Sequence, residues 1–81
     1  MYFAYVLQNL NDILYKGHTN DLDKRFKQHN ADDGFHSYTK SRGPWKLVYV
    51  ETFQTRKEAQ ARETFFKTGS GRKFLQAILK N

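Results

Sequence analysis

The chain contains no cysteine and one proline among 81 residues. Without cysteine there is neither a disulfide framework nor a thiolate metal cage, so the fold must hold itself by burial, and a reducing, cytoplasmic setting is expected. Long hydrophobic runs are missing too. The apolar opening, Met1–Leu7, is far shorter than the roughly 20 residues of a spanning helix, which argues against a membrane partner. It also lacks a positive leader and a small-residue cleavage site, and reads as a strand. Neither an internal repeat nor a low-complexity segment interrupts the chain, so residues 1–81 read as a single domain.

Acid is the scarce charge, with 8 Asp and Glu against 14 Lys and Arg and a formal net charge of +6. A basic balance favours a polyanionic partner, because each cation that meets a phosphate releases condensed counterions. The bias is local. From Gln54 onward seven basic residues face two Glu, whereas Asp12, Asp21, Asp23, Asp32 and Asp33 gather earlier in the chain. What is abundant is aromatic surface: seven Phe, five Tyr and one Trp, enough for one modest core.

Hydrophobic periodicity divides the chain into six elements. Residues 2–8 are apolar on both parities, as in a strand buried on both faces. Residues 13–19 make a second strand; a tight hairpin about Leu10 would set Tyr5 opposite Tyr15 and Leu7 opposite Ile13. Asn20 is the expected N-cap of a helix over 21–30, with Asp21 and Asp23 in its first turn. A polar loop follows, then a strand over 45–53, and a helix over 56–67 opened by a Thr55–Glu58 capping box. Gly69 and Gly71 end that helix, and Ser70 is the expected cap of a last one carrying Phe74, Leu75, Ile78 and Leu79. The order β-β-α-β-α-α implies an α+β fold, a three-stranded antiparallel or mixed sheet flanked by helices.

Several residues stand at positions that could carry chemistry. Arg25 and His29 border the apolar stripe of the first helix; they are either an edge Arg with a packed His or members of a site. Ala59, Glu63 and Phe66 share one helix face, which puts a carboxylate among apolar neighbours. Such a Glu needs either a structural ion-pair partner or a divalent cation beside a phosphate. Tyr5 and Tyr15 are core strand aromatics unless a cleft joins them to Arg25. The segment holding Tyr38, Thr39, Lys40 and Arg42 suits phosphate contacts as well as it suits a solvated loop.

Taken together, Phe3-Ala4-Tyr5, Tyr15-Lys16-Gly17, the run Asn20 to Arg25, His29-Asn30, Ser37-Tyr38-Thr39 and Arg62-Glu63 follow one family's order. The chain resembles the GIY-YIG nuclease superfamily, and within it the short single-domain bacterial members related to the N-terminal nuclease domain of the incising protein of excision repair. That resemblance implies a metal-dependent endonuclease, in DNA repair or processing, whose catalytic residues are Tyr5, Tyr15, Arg25, His29 and Glu63. Glu63 would hold one Mg²⁺ or Mn²⁺ ion, and Tyr5, with a lowered pKa, would act as the base. Lys16, Tyr38, Thr39, Lys40, Arg42 and Lys67 are candidates for contacting nucleic acid, DNA rather than RNA, by a monomer or weak dimer. Two departures stand out: the first motif lacks its Gly and Ile, and Lys16 replaces the Ile of the second. A C-terminal helical Asn common in the family has no convincing match, Asn81 being the last residue. The rival readings are a nucleic-acid-binding module without efficient catalysis and a protein-interaction subunit.

Because the chain offers basic loops and helix ends and no evident groove-reading helix, binding should be largely sequence-independent and governed by salt. Raising salt from about 50 to 200 mM is expected to weaken binding of a labelled oligonucleotide by tenfold or more, measured by fluorescence anisotropy.

Overall fold

The structure is a computed structural model that describes residues 1–30 and 44–79, the side chains of 28–30 excepted. The elements are β1 (Tyr2–Gln8), β2 (Leu14–Thr19), α1 (Leu22–Asn30), β3 (Lys46–Phe53), α2 (Arg56–Phe66) and α3 (Gly69–Leu79). All pairings are antiparallel, in the spatial order β2-β1-β3.

As the middle strand, β1 buries Ala4, Tyr5, Val6 and Leu7. Successive strand side chains point to opposite faces, so this one segment feeds two cores. Ala4 and Val6 meet Phe66 of α2 and Leu75 of α3, while Tyr5 and Leu7 meet Trp45, with Leu22 and Phe26 of α1 beside them. Between Val6 and Leu7 the pairing with β3 jumps from Tyr49 to Leu47. The bulge adds Val48 to β3, which lets the sequence neighbours Val48 and Tyr49 both pack on the α2–α3 side.

The hairpin register differs from the expected one. Tyr5 pairs with Gly17 and Leu7 with Tyr15, because the connection is longer than a tight turn. Asn9 Oδ1 accepts hydrogen bonds from the Asn11 and Ile13 amides at 3.0 and 2.9 Å, and Asp12 adopts a left-handed φ of 63°. The displacement is two residues, so Tyr5 and Tyr15 keep a common face.

Two helix caps also move. Asp21 rather than Asn20 caps α1, its Oδ1 accepting from the Lys24 amide at 3.1 Å. Thr68 rather than Ser70 caps α3, its Oγ1 accepting from the Gly71 amide at 3.0 Å. In each case the capping oxygen belongs to the residue three before the amide it serves, the geometry a cap requires. The Thr55–Glu58 capping box opens α2 as expected.

A polar clasp ties α2 to β3. The Arg62 guanidinium donates to both Glu51 oxygens, at 2.8 and 3.1 Å, and lies 4.6 and 4.9 Å from the ring centroids of Phe65 and Phe74. Tyr49 donates its hydroxyl to the same carboxylate. Burial pushes the Glu51 carboxyl up, but hydrogen bonds from Arg62 and Tyr49, with the Arg62 charge, outweigh it and hold the group below the usual range.

At the α2–α3 corner the two glycines have different tasks. A methyl at Gly71 would fall 1.8 Å from the Phe65 carbonyl oxygen, whereas one at Gly69 would meet nothing within 4 Å. Gly71→Ala is therefore expected to lower stability by about 1–3 kcal/mol despite the better helix propensity of Ala. Gly69→Ala should leave stability unchanged or raise it by up to about 1 kcal/mol. Urea unfolding of both variants measures the contrast.

Candidate active site

Tyr5, 1% exposed, leans toward Tyr15 of β2, with ring centroids 6.4 Å apart and an interplanar angle of 40°. Its register partner, Gly17, has no side chain, and the Tyr5 ring occupies that space. A methyl at Gly17 would lie 2.5 Å from the Tyr5 hydroxyl oxygen and 2.7 Å from the carbon bearing it. The glycine of the second motif is thus a close-approach position. Tyr15 in turn meets Trp45 edge-on, with centroids 6.3 Å apart. From the first turn of α1, half-buried Arg25 reaches the Tyr5 hydroxyl with its guanidinium.

Glu63 arrives from the other helical layer. On α2 it lies between buried Ala59 and Phe66, with its side chain 17% exposed. Glu63 Oε1 lies 2.6 Å from His18 Nδ1, and Oε2 accepts from Lys67 Nζ at 2.7 Å. His18 pairs with Ala4, so parity turns its ring toward the α2 side, away from the face that carries Tyr5 and Tyr15. The expected convergence on one concave face is replaced by a divided arrangement. Tyr5, Tyr15 and Arg25 occupy one face, while the Glu63 charge reaches both tyrosines across the edge strand β2. Beside that edge lies a cleft of about 310 Å³, lined by Leu14, Tyr15, Lys16 and Lys67.

The electrostatics correct a second expectation. Burial, and then the neighbouring Tyr15, hold the Tyr5 phenol well above its ordinary range; the charge and hydrogen bond of Arg25 oppose this and are outweighed. The lowered pKa that a base role calls for is therefore not supplied by the chain itself. Burial first and Glu63 second raise Tyr15, against Lys67 and Arg25. Lys16 is lowered by burial and then by the charges of Arg72 and Lys67.

Of the other expected site residues, His29 lies in the last turn of α1 with its side chain outside the described set, and Tyr38, Thr39, Lys40 and Arg42 lie outside the described residues. Lys16 and Lys67 both line the cleft. Sequence reasoning missed His18 and Arg72. The available signal was parity: next to the Gly of the second motif, a strand His must face the layer from which Glu63 comes.

Among the described residues no group of three His, Cys, Asp or Glu could enclose a metal. The donor set nonetheless fits a hydrated Mg²⁺, which commonly takes one or two carboxylates and keeps several waters. The Lys67 ammonium at Glu63 Oε2 already marks a place where positive charge is accommodated.

A hairpin bearing two tyrosines, a helix-borne Arg beside them and a carboxylate from the opposite layer define a small α+β domain of the nuclease class. The chain belongs to the GIY-YIG family: the family model described as the GIY-YIG catalytic domain matches residues 1–75. It is 45% identical over 78 residues to a UPF0213 protein of Clostridium perfringens, covering 96% of this chain and 83% of that one. A UPF0213 protein of Staphylococcus saprophyticus is 40% identical, with 95% and 93% covered. The solution NMR structure of a UPF0213 protein from Bacillus halodurans superposes with a TM-score of 0.57 at 35% identity, covering 96% of this chain and 83% of that one.

Tyr5, Tyr15 and Tyr49 all hold their protons more tightly in the folded chain than the ordinary phenol does. A raised folded pKa contributes stability that is complete below the unfolded value, about 10, and is lost as pH rises through the folded values. Stability should accordingly fall as pH climbs above about 10, and Tyr5→Phe should flatten the fall. Urea unfolding across that range, with tyrosinate absorbance followed in parallel, gives the slope for both proteins.

Proposed function

We propose that this chain is a metal-dependent endonuclease hydrolysing nucleic-acid phosphodiester bonds, in DNA rather than RNA, during repair or processing. The observation that carries the reading is the coupling of two tyrosines, Arg25 and Glu63 across the single edge strand β2. A phosphate brought to that edge would meet hydrogen-bond donors on one side and a cation-binding carboxylate on the other.

Each residue has a definite task in this reading. Tyr5 and Tyr15, kept neutral by burial, orient the phosphate and the attacking water through their hydroxyls. Arg25, already at the Tyr5 hydroxyl, supplies fixed positive charge to the pentavalent phosphorus as negative charge builds there. For Tyr5 also to take a proton, its phenol would have to come well below its position in the free chain, and Arg25 alone does not offset burial. Glu63 would hold a divalent ion, which when bound contributes Lewis-acid stabilisation of phosphate charge. Lys16 and Lys67 hold flanking phosphates at the cleft.

A second reading, a binding module without efficient catalysis, is favoured by one feature: both Glu63 oxygens are engaged by the chain's own side chains. Glu63→Gln separates the two. Gln retains hydrogen-bonding capacity toward His18, and the Lys67 it releases is 55% exposed, so a stability loss of about 1 kcal/mol or less is expected. In Mn²⁺, cleavage of a panel of labelled single-stranded, flapped and branched DNAs should be lost in the variant, while binding in chelator persists or strengthens. Cleavage unchanged in the folded variant removes the metal role; no cleavage by the unsubstituted protein of any substrate it binds favours the binding module.

A further inference from the structure

The two partners of Glu63 differ in kind. His18 stands on a strand with its register set by pairing to Ala4, and its side chain is 23% exposed. Lys67 is at the C-cap of α2, one turn beyond Glu63, and its side chain is 55% exposed. An exposed i,i+4 ion pair is weak, and the lysine stem is flexible. Lys67 also lines the adjoining cleft, with Lys16 and Tyr15. One ammonium group thus stands between two places for negative charge, the Glu63 carboxylate and an open cleft with a second lysine on its wall.

We propose that Lys67 is a built-in stand-in for the divalent cation at Glu63, and that a substrate phosphate entering the Lys16–Lys67 cleft draws it away. This rests on the nuclease reading above and adds a coupling to it. In the free chain, Lys67 neutralises Oε2 and competes with a metal ion for it. Lys16 is itself crowded by the charges of Lys67 and Arg72, so an anion in the cleft relieves repulsion among cations as it binds. When phosphate takes Lys67, Oε2 is left open to a metal ion while His18 still holds Oε1, so the carboxylate keeps its orientation. Cation and nucleic acid then favour each other's binding, and by linkage the effect is reciprocal.

The test uses the full chain, Lys67→Met and Glu63→Gln, each checked for folding by circular dichroism. Mn²⁺ binding is titrated by electron paramagnetic resonance without nucleic acid, and binding of a labelled single-stranded oligodeoxynucleotide is measured in chelator. Lys67→Met should bind Mn²⁺ at least about threefold more tightly, because a competing cation is gone, and the oligonucleotide at least about threefold more weakly, because a phosphate partner is gone. A merely structural lysine would not move the two affinities in opposite directions. Mn²⁺ affinity lost in Glu63→Gln but unimproved or weakened in Lys67→Met overturns the stand-in role and leaves the nuclease reading intact. Mn²⁺ affinity that Glu63→Gln leaves unaltered removes Glu63 as a ligand, and both the reading and the proposal fall with it. Oligonucleotide affinity unchanged in Lys67→Met overturns the exchange onto phosphate.

Discussion

Four consecutive residues of one strand, Ala4 to Leu7, are withdrawn from water on both faces of the sheet, and the rest of the molecule is arranged to make that possible. A three-stranded sheet this small cannot bury its middle strand twice without a helical layer on each side. α1 provides one layer through Leu22 and Phe26, and α2 with α3 provides the other through Phe66 and Leu75. Each large apolar side chain sequestered in this way contributes about 1.5–3 kcal/mol, so losing either layer would expose more than a small domain's net stability can absorb.

The same constraint explains why the site is divided. Tyr5 is a core residue first, and it reaches the edge of the sheet only because Gly17 leaves room for its ring. α2 is committed to the opposite face by Ala59 and Phe66, so Glu63 can meet the tyrosines only around β2. An edge strand is where this can happen, since nothing pairs with its outer side in the sheet order β2-β1-β3. The arrangement places hydrogen-bond donors on one face and a carboxylate on the other, separated by the thickness of a single strand.

Burial also sets the chemistry available. A phenol surrounded by Tyr15, Trp45, Leu22 and Phe26 is held neutral more firmly than one in water, and Arg25 reduces that effect without reversing it. The acidic side of the site is treated differently. Glu63 is oriented by His18 and Lys67, a pairing that costs little because the lysine remains largely in solvent. The clasp of Arg62 on Glu51, packed against Phe65 and Phe74, anchors α2 to β3 one residue before Glu63. It thereby limits how far the helix carrying the site carboxylate can shift.

Much of this was legible in the residue pattern. Double-parity apolar residues announced a central strand, the Thr55–Glu58 spacing announced α2, and the two motif tyrosines with Arg25 and Glu63 pointed to the family that the comparison over residues 1–75 bears out. These are local signals, carried by side-chain period and cap chemistry within one or two turns. Hairpin register was not legible, because the Asn9 side chain and the left-handed Asp12 lengthen the turn and move every β1–β2 pair by two residues. Nor could the chain reveal His18 as the partner of Glu63, 45 residues apart in sequence. Residue order alone was enough to say which side chains can do chemistry and which faces of their own elements they occupy. Folding in three dimensions settled which layer each element joins, and hence that Glu63 is clamped by His18 and Lys67 and faces the tyrosines across an edge, because packing between layers depends on contacts that no local period encodes.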